Sequence, residues 1–403
     1  MIPVTEAIQI ILEKAEPLGV ERVPLDEAAG RVLAEDVFAD TDLPPFDRAQ
    51  MDGYAVRSAD LRETPARLRV VGEAAAGSGW RGALQRGEAV RIMTGAPLPV
   101  GADSVQQVEV TRETEGGSFV EIDRATEPGQ FYAPRASEIR KGARVLEAGR
   151  EVNAARAAVL ASFGYAEVPV GGRPRAAVLA TGTELVPVGE RPGADQIRDS
   201  NSYSLAAYAR LAGATVERLP FAGDDPELLR REIEAAAGRC DVLVLSGGVS
   251  MGRYDFTKAA LGELGAEIFF ERVSLRPGKP TVFARLPGGA LVFGLPGNPV
   301  SVSVTFNLFA RTALRRMQGA REAAPLEEFA ALSRPAKGAA ERASYLPAAL
   351  STDAAGRLLA EPLKWGGSSD FVAFARADAL VVVPAGVKIL EGGSVVKVVR
   401  LPG

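Results

Sequence analysis

Residues 241–258 read D-V-L-V-L-S-G-G-V-S-M-G-R-Y-D-F-T-K. An apolar, β-rich run ends abruptly in Ser246-Gly247-Gly248. A strand that ends in glycines opens its carboxyl edge, because glycine lets the backbone come close to a phosphate. Ligands of open α/β sheets sit at that edge. The loop that follows carries one carboxylate, Asp255, and two cations, Arg253 and Lys258. An acidic residue among cations suits a metal together with a polyanion. Two echoes lie downstream, L-R-P-G-K-P at 275–280 and G-L-P-G-N-P-V-S at 294–301.

Working outward, strands and helices alternate after G-G-R-P at 171–174. R-A-A-V-L-A-T-G-T-E-L predicts a strand and a loop, S-N-S-Y-S-L-A-A-Y-A-R-L-A-G-A a helix, and A-T-V-E-R-L-P a strand. D-D-P-E-L-L-R-R-E-I-E-A-A-A is a helix with Asp225 at the N-cap and Pro226 at N1. Its apolar stripe is Leu229, Ile233, Ala236 and Ala237. A helix near 256–264, strands in G-K-P-T-V-F-A and A-L-V-F-G-L, and a helix at 299–317 complete the unit. This alternation implies an α/β, doubly wound, largely parallel sheet.

The flanks read differently. Residues 3–16 form one helical face through Ile8, Ile11, Leu12 and Ala15. Residues 41–60 form a polar, Pro-rich connection with an Asp52-Gly53 turn, and 66–134 a small β domain of short runs split by Gly and Pro. A helix through V-N-A-A-R-A-A-V-L-A-S-F-G closes on Gly164. Residues 320–340 read as a connector, and E-P-L, F-V-A-F, A-L-V-V-V-P and S-V-V-K-V-V-R-L as strands of a small barrel or sandwich.

Composition narrows the chemistry. The 403-residue length suggests several domains. A net charge of -4 and 6% aromatic residues argue against nucleic-acid binding, which needs a basic surface and stacking rings. No apolar run reaches the length of a membrane span, and the first residues show no signal-peptide pattern. The single cysteine, Cys240, forms no intrachain disulfide and fits a reducing cytoplasm. The absence of histidine removes Ser–His and Cys–His nucleophile pairs and every His-ligated metal site. A hard cation held by carboxylates passes this filter.

Each conspicuous residue also has a bland reading. Asp52-Gly53 is a common turn, and Thr94-Gly95 with Pro97 reads equally as a strand end. Asp225 is assigned to helix capping, which leaves Asp224 as a ligand candidate. Glu184 alone would be a solvated loop carboxylate, Asn298 a turn or cap residue, Lys279 a solvated cation and Cys240 a packing residue. Combination changes the weighting. Glycine-ended strand termini at 182, 247–248 and 297 would meet along one sheet edge. Glu184, Asp224 and Asp255 would lie near it, with Arg272, Arg276 and Lys279 adding positive charge. That set suits phosphoric-anhydride chemistry. No Walker pattern is present, which disfavours a P-loop NTPase.

The clusters P-P-F-D-R-A-Q-M-D-G-Y-A-V, T-G-A-P-L-P-V-G-A-D, Q-I-R-D-S-N, S-G-G-V-S-M-G-R-Y-D-F-T-K, R-P-G-K-P and G-L-P-G-N-P-V-S resemble, in order and over almost the full chain, the MoeA family of molybdopterin molybdenumtransferases, counterparts of the gephyrin E domain. The S-G-G and P-G-N-P core alone is shared with molybdopterin adenylyltransferases. The resemblance implies a central molybdopterin-binding α/β domain (172–320) and a β-rich inserted domain (46–134). It also implies a discontinuous, mixed α+β N-terminal linker or dimerisation domain (1–45 and 135–171) and a C-terminal small β-barrel domain (321–403). It implies insertion of molybdenum from molybdate into adenylylated molybdopterin, with hydrolysis of the adenylate that depends on Mg²⁺ or another divalent cation, and AMP release. It further implies a cytoplasmic homodimer whose site is shared between subunits. Molybdopterin adenylyltransferase and molybdoenzyme-maturation proteins are its expected partners.

Residue by residue, the resemblance places Glu184, Asp224 and Asp255 at metal binding and hydrolysis. Asp52 and Thr94 face the substrate from the β domain. Ser246, Gly247, Gly248 and Asn298 belong to the strand-end loops that bind it. Arg272, Arg276 and Lys279 serve the pterin phosphate and molybdate, and Arg342 and Ser368 contact molybdate from the tail. The chain departs from the family in having Arg for Lys at 272 and 276, Glu138 for Asp, and Ala49 and Ala180 for frequent serines. Arginine keeps the charge and binds oxyanions bidentately. Two rival readings are an adenylyltransferase, which needs only 172–320, and a non-catalytic scaffold of the gephyrin type. Released AMP separates insertion from adenylylation, and binding without turnover marks the scaffold.

Overall fold

The computed structural model describes residues 1–223, 225–248 and 256–402. The chain divides into two compact units, one of Met1–Glu35, Ala148–Ala157 and Glu167–Gly403, the other of Asp36–Glu147 and Ala158–Ala166.

The larger unit is built on a six-stranded sheet of β1 (Arg175–Ala180), β2 (Thr215–Arg218), β3 (Val242–Ser246), β4 (Glu267–Phe270), β5 (Val282–Arg285) and β6 (Leu291–Leu295), in the order β2-β1-β3-β6-β5-β4. Strands β2, β1, β3 and β6 are parallel. The runs of β3 and β6, and of β1 past Arg175, are buried and mainly apolar because both faces are covered, whereas the edge strand β2 is largely exposed. Val178, Val242, Val244 and Phe293 pack on one side, with residues of α1 (Val4–Lys14) and of the helices that follow β1 and β6. Ala177, Leu179, Leu243 and Leu245 pack on the other. The doubly wound architecture read from the sequence is therefore present. Strand β5 runs antiparallel to β6. The connection between them, 286–290, is a turn too short for the crossover that a parallel pair needs.

Helix α2 (Ala154–Ser162) closes at Gly164, whose φ is +77° and behind which Tyr165 N–H donates to the Leu160 carbonyl at 3.0 Å. Helix α3 (Asn201–Leu211) follows β1. Helix α4 (Pro226–Ala237) starts as expected, with Asp225 accepting from the backbone of Glu227 and Leu228. Leu229, Ile233 and Ala236 are its buried stripe. Helix α5 (Phe256–Glu263) lies on the same side of the sheet as α4. Helices α6 (Pro299–Thr305) and α7 (Arg311–Met317) join through one π-helical turn, Phe306–Ala310. Before the chain leaves for the smaller unit, it pairs with its own return. Leu33 N–H donates to Arg150 at 2.9 Å, and Gly149 N–H to Leu33 at 2.7 Å.

The tail strands β7 (Glu327–Leu332), β8 (Ala343–Thr352), β9 (Leu358–Pro362), β10 (Ala379–Val383) and β11 (Val395–Arg400) are ordered β8-β9-β7-β11-β10, and β10 returns to β8. The circuit is a closed barrel, not a sandwich. Its core includes Leu332, Leu346, Ala360, Val381 and Val398. Two expectations fail here. The stretch read as a connector holds β7, whose Ala/Glu-rich sequence becomes a strand because β11 and β9 pair with it. F-V-A-F is a one-turn helix, Phe371–Phe374, because the Asp370 carboxylate accepts from Ala373 N–H at 3.1 Å.

The smaller unit carries a six-stranded mixed sheet, in spatial order Ser104–Gln107, Gly53–Val56, Glu88–Ile92, Ala66–Ala74, Phe119–Ile122 and Thr111–Thr114. The β-rich character expected for 66–134 holds, but Asp52-Gly53 is no turn. Gly53 opens a strand paired on both sides, and all four of its residues are buried. Among the described residues no helix is long and apolar enough to cross a membrane.

Candidate functional site

The carboxyl ends of β1, β3 and β6 converge, as their glycines implied. Thr181 N–H donates to the Ser246 carbonyl at 2.8 Å and Gly247 N–H to the Leu295 carbonyl at 3.1 Å. Gly247 has φ +96°, and a Cβ there would lie 2.7 Å from the Thr181 carbonyl oxygen. Only glycine fits. The same sequence that ends the strand therefore bares its backbone. Thr257 N–H, at the head of α5, donates to the Gly248 carbonyl at 3.2 Å. A Cβ on Gly297 would stand 3.6 Å from Gly247 Cα, so the P-G-N-P turn lies against the S-G-G terminus. Ser246, Gly247, Gly248 and Asn298 are thus brought to one edge.

Glu184 is exposed on the loop after β1, and its carboxylate sits over Gly182. A hard oxygen donor at this edge fits a divalent cation. The other two expected carboxylates, Asp224 and Asp255, lie outside the described residues, as does Arg253. Among the described residues no group of three acidic or cysteine side chains gathers at a metal-binding distance.

Beside the edge, a cavity of about 970 Å³ lies between the R-P-G-K-P loop and the barrel. Arg276, Lys279, Arg342 and Ser368, all expected at the oxyanion site, line it. Arg334, Lys337 and Lys364 line it too, and among the described residues no lining side chain is acidic. Arg334 pairs with Glu361 at 3.5 Å; the other cations gathered in one basin create a positive potential, which concentrates an anion. Two links hold the walls together. Leu275–Arg276 adds in parallel to β8. Asn298 Nδ2 donates to Ser368 Oγ at 3.0 Å, while Val300 N–H donates to the Ser368 carbonyl at 2.9 Å. Sequence reasoning missed Arg334, Lys337 and Lys364. An isolated exposed cation carries no local signal, and only the barrel's closure assembles them.

Not every expected residue joins this group. Arg272 is exposed and does not line the basin. Lys258 pairs with Glu271. Asp52 and Thr94, in the smaller unit, contact each other. Asp52 Oδ1 accepts from both Thr94 N–H and Thr94 Oγ1–H at 2.7 Å. The backbone hydrogen bond, then the hydroxyl, holds the Asp52 carboxyl below the usual carboxylate range. Glu138 pairs with Arg48 at 2.9 Å. Cys240 is buried before β3, and burial pushes its thiol up to about 11. A thiol is nucleophilic only as thiolate. A disulfide reagent at pH 8 is therefore expected to leave Cys240 unmodified in the folded protein and to label it fully in denaturant. Rapid labelling of the native chain would contradict the packing role.

The chain matches the family models for the MoeA N-terminal region (domain I and II) over residues 2–164, a probable molybdopterin binding domain over 177–316, and the MoeA C-terminal region (domain IV) over 330–401. The molybdopterin molybdenumtransferase of Bacillus subtilis (strain 168) is 35% identical, with 99% of this chain and 94% of that one covered. That of Nostoc sp. is 36% identical, with 95% and 89% covered. The crystal structure of a molybdopterin biosynthesis MoeA protein from Pyrococcus horikosii is similar with a TM-score of 0.81 at 34% identity, covering 100% of both chains. One from Pyrococcus horikoshii OT3 gives 0.85 at 28% identity, again over 100% of both.

Proposed function

The chain belongs to the MoeA family, and we infer that it is a molybdopterin molybdenumtransferase, inserting molybdenum in molybdenum cofactor biosynthesis. Its substrates in this reading are adenylylated molybdopterin and molybdate, and AMP leaves as the anhydride is hydrolysed. The observation that carries the reading is the cation-lined basin, with no acidic lining residue among those described, stitched to the glycine edge. Molybdate is a tetrahedral dianion, and charge-assisted donors are what it needs. Arg276, Lys279, Arg342 and Ser368 seat it. Gly247 and Gly248 let the pterin phosphates approach the backbone, and Ser246, Asn298 and Arg272 complete their surroundings.

Glu184, Asp224 and Asp255 would hold Mg²⁺ or another divalent cation. That cation, when bound, neutralises charge on the anhydride. The carboxylates also orient the attacking water, work that requires no histidine. We assign these roles to four domains with the boundaries 1–45 plus 135–171, 46–134, 172–320 and 321–403. The protein acts in the cytoplasm as a homodimer. Asp52 and Thr94 of one subunit serve the site of the other. An adenylyltransferase would need only the central domain, whereas the flanking regions here match MoeA models.

The deciding experiment is AMP release from adenylylated molybdopterin with Mg²⁺, with and without molybdate. Molybdate-dependent release is expected. Tight binding without release would favour a scaffold. Arg276→Ala removes one charge-assisted contact, so the molybdate KM should rise about tenfold or more. An unchanged molybdate dependence would remove Arg276 from the anion site.

A further inference from the structure

We propose that Asn201 is a positioning residue for the pterin adenylate, one that clamps the P-G-N-P turn to the S-G-G terminus and takes up the edge's acceptors, so that the substrate phosphates meet donors. This rests on the substrate reading above. Asn201 opens α3. One Nδ2 hydrogen goes to Ser246 Oγ at 2.9 Å and the other to the Gly297 carbonyl at 2.6 Å. The carbonyl can only accept, so the amide nitrogen must face it. A flipped amide would set two oxygens against each other at that distance.

The orientation fixes the polarity of the edge. Gly297 has its carbonyl occupied by Asn201. Ser246 Oγ accepts from Asn201 and makes no other hydrogen bond among the described residues. A hydroxyl carries a single proton, and that proton is left to donate. An anion reaching Gly247 and Gly248 then meets no uncovered acceptor from these two neighbours.

Helix capping does not explain the residue. At the start of α3 the Ser202 N–H is already taken by Asp199 Oδ1 at 3.0 Å, and Asn201 does not cap the helix. Asn201 also bears an Oδ1 that is buried without a partner among the described residues.

The test uses the full-length protein and AMP release at varied concentrations of each substrate. Asn201→Asp keeps the shape, loses both donors and adds an anion. The pterin-adenylate KM should rise tenfold or more, while the molybdate KM stays within twofold, because other residues build the basin. Equal rises in both would overturn the proposal. In a second arm, Asn201→Ala and Ser246→Ala are combined. If Asn201 acts through Ser246, the double variant is no more than twofold worse than the worse single one. Effects that multiply would overturn it. Wild-type AMP release tests the substrate reading itself. Should it fail, equilibrium dialysis with adenylylated molybdopterin still compares the variants, and equal retention by all of them would overturn the role of Asn201.

Discussion

Glu184→Gln should fold like the parent chain and release AMP at least about 100-fold more slowly, the scale expected when a positioned acid–base or ligand group is lost. The substitution keeps shape and removes one charge. Glu184 is exposed, and its backbone carbonyl, not its carboxylate, holds the neighbouring segment by accepting from Ile197 N–H at 2.8 Å. Surface changes of this kind shift stability by roughly 0.5 kcal/mol or less. The two readouts therefore separate, with an unchanged thermal midpoint and a collapsed rate. The variant should still bind molybdate, since the basin's cations are untouched. AMP release within threefold of the parent would eliminate Glu184 from the chemistry. A fall in midpoint matching the fall in rate would assign it a structural role.

The largest stability effect is expected at Gly53→Ala. A Cβ at this position would lie 1.9 Å from the Gln106 carbonyl oxygen and 3.0 Å from Val108 N. Both are backbone atoms of the neighbouring strand segment, so no side chain can swing aside. The sheet must open at its Gly53–Val56 pairing with Ser104–Gln107, which anchors buried Tyr54, Ala55 and Val56. Overpacking a core costs typically 1–3 kcal/mol, and a clash with paired backbone belongs at or above the top of that range, about 3 kcal/mol. The loss should appear in denaturant melts and in amide exchange of residues 53–56 and 104–107. A midpoint indistinguishable from the parent would mean the strand pair has slack that its geometry denies.

These two sites mark the limits of legibility. The central sheet could be read because its strands are apolar on both faces and punctuated by glycine. The glycine edge could be read for the same reason. The Gly53 strand could not. It is four residues long, follows a Pro-rich polar stretch, and begins with a dipeptide that usually turns. Strand β7 was hidden by Ala and Glu, which favour helices until neighbouring strands supply hydrogen bonds. The basin was half visible. Arg276 and Lys279 stood in a motif, but Arg334, Lys337 and Lys364 are scattered cations that only tertiary closure collects.

The backbone pairing of Leu33 with Gly149 and Arg150 has a consequence for how such a chain can change over time. The entrance and exit of residues 36–147 are already fastened side by side within the larger unit. Joining two ends that are held together costs little more for a long excursion than for a short one, about 0.6 kcal/mol per doubling of length. The segment between them can lengthen or shorten in its loops without unseating the sheet, while its packing with 158–166 is kept. Variation in size among relatives should therefore accumulate there, while the spacing between the glycine edge and the barrel, fixed at two stitches, stays constant.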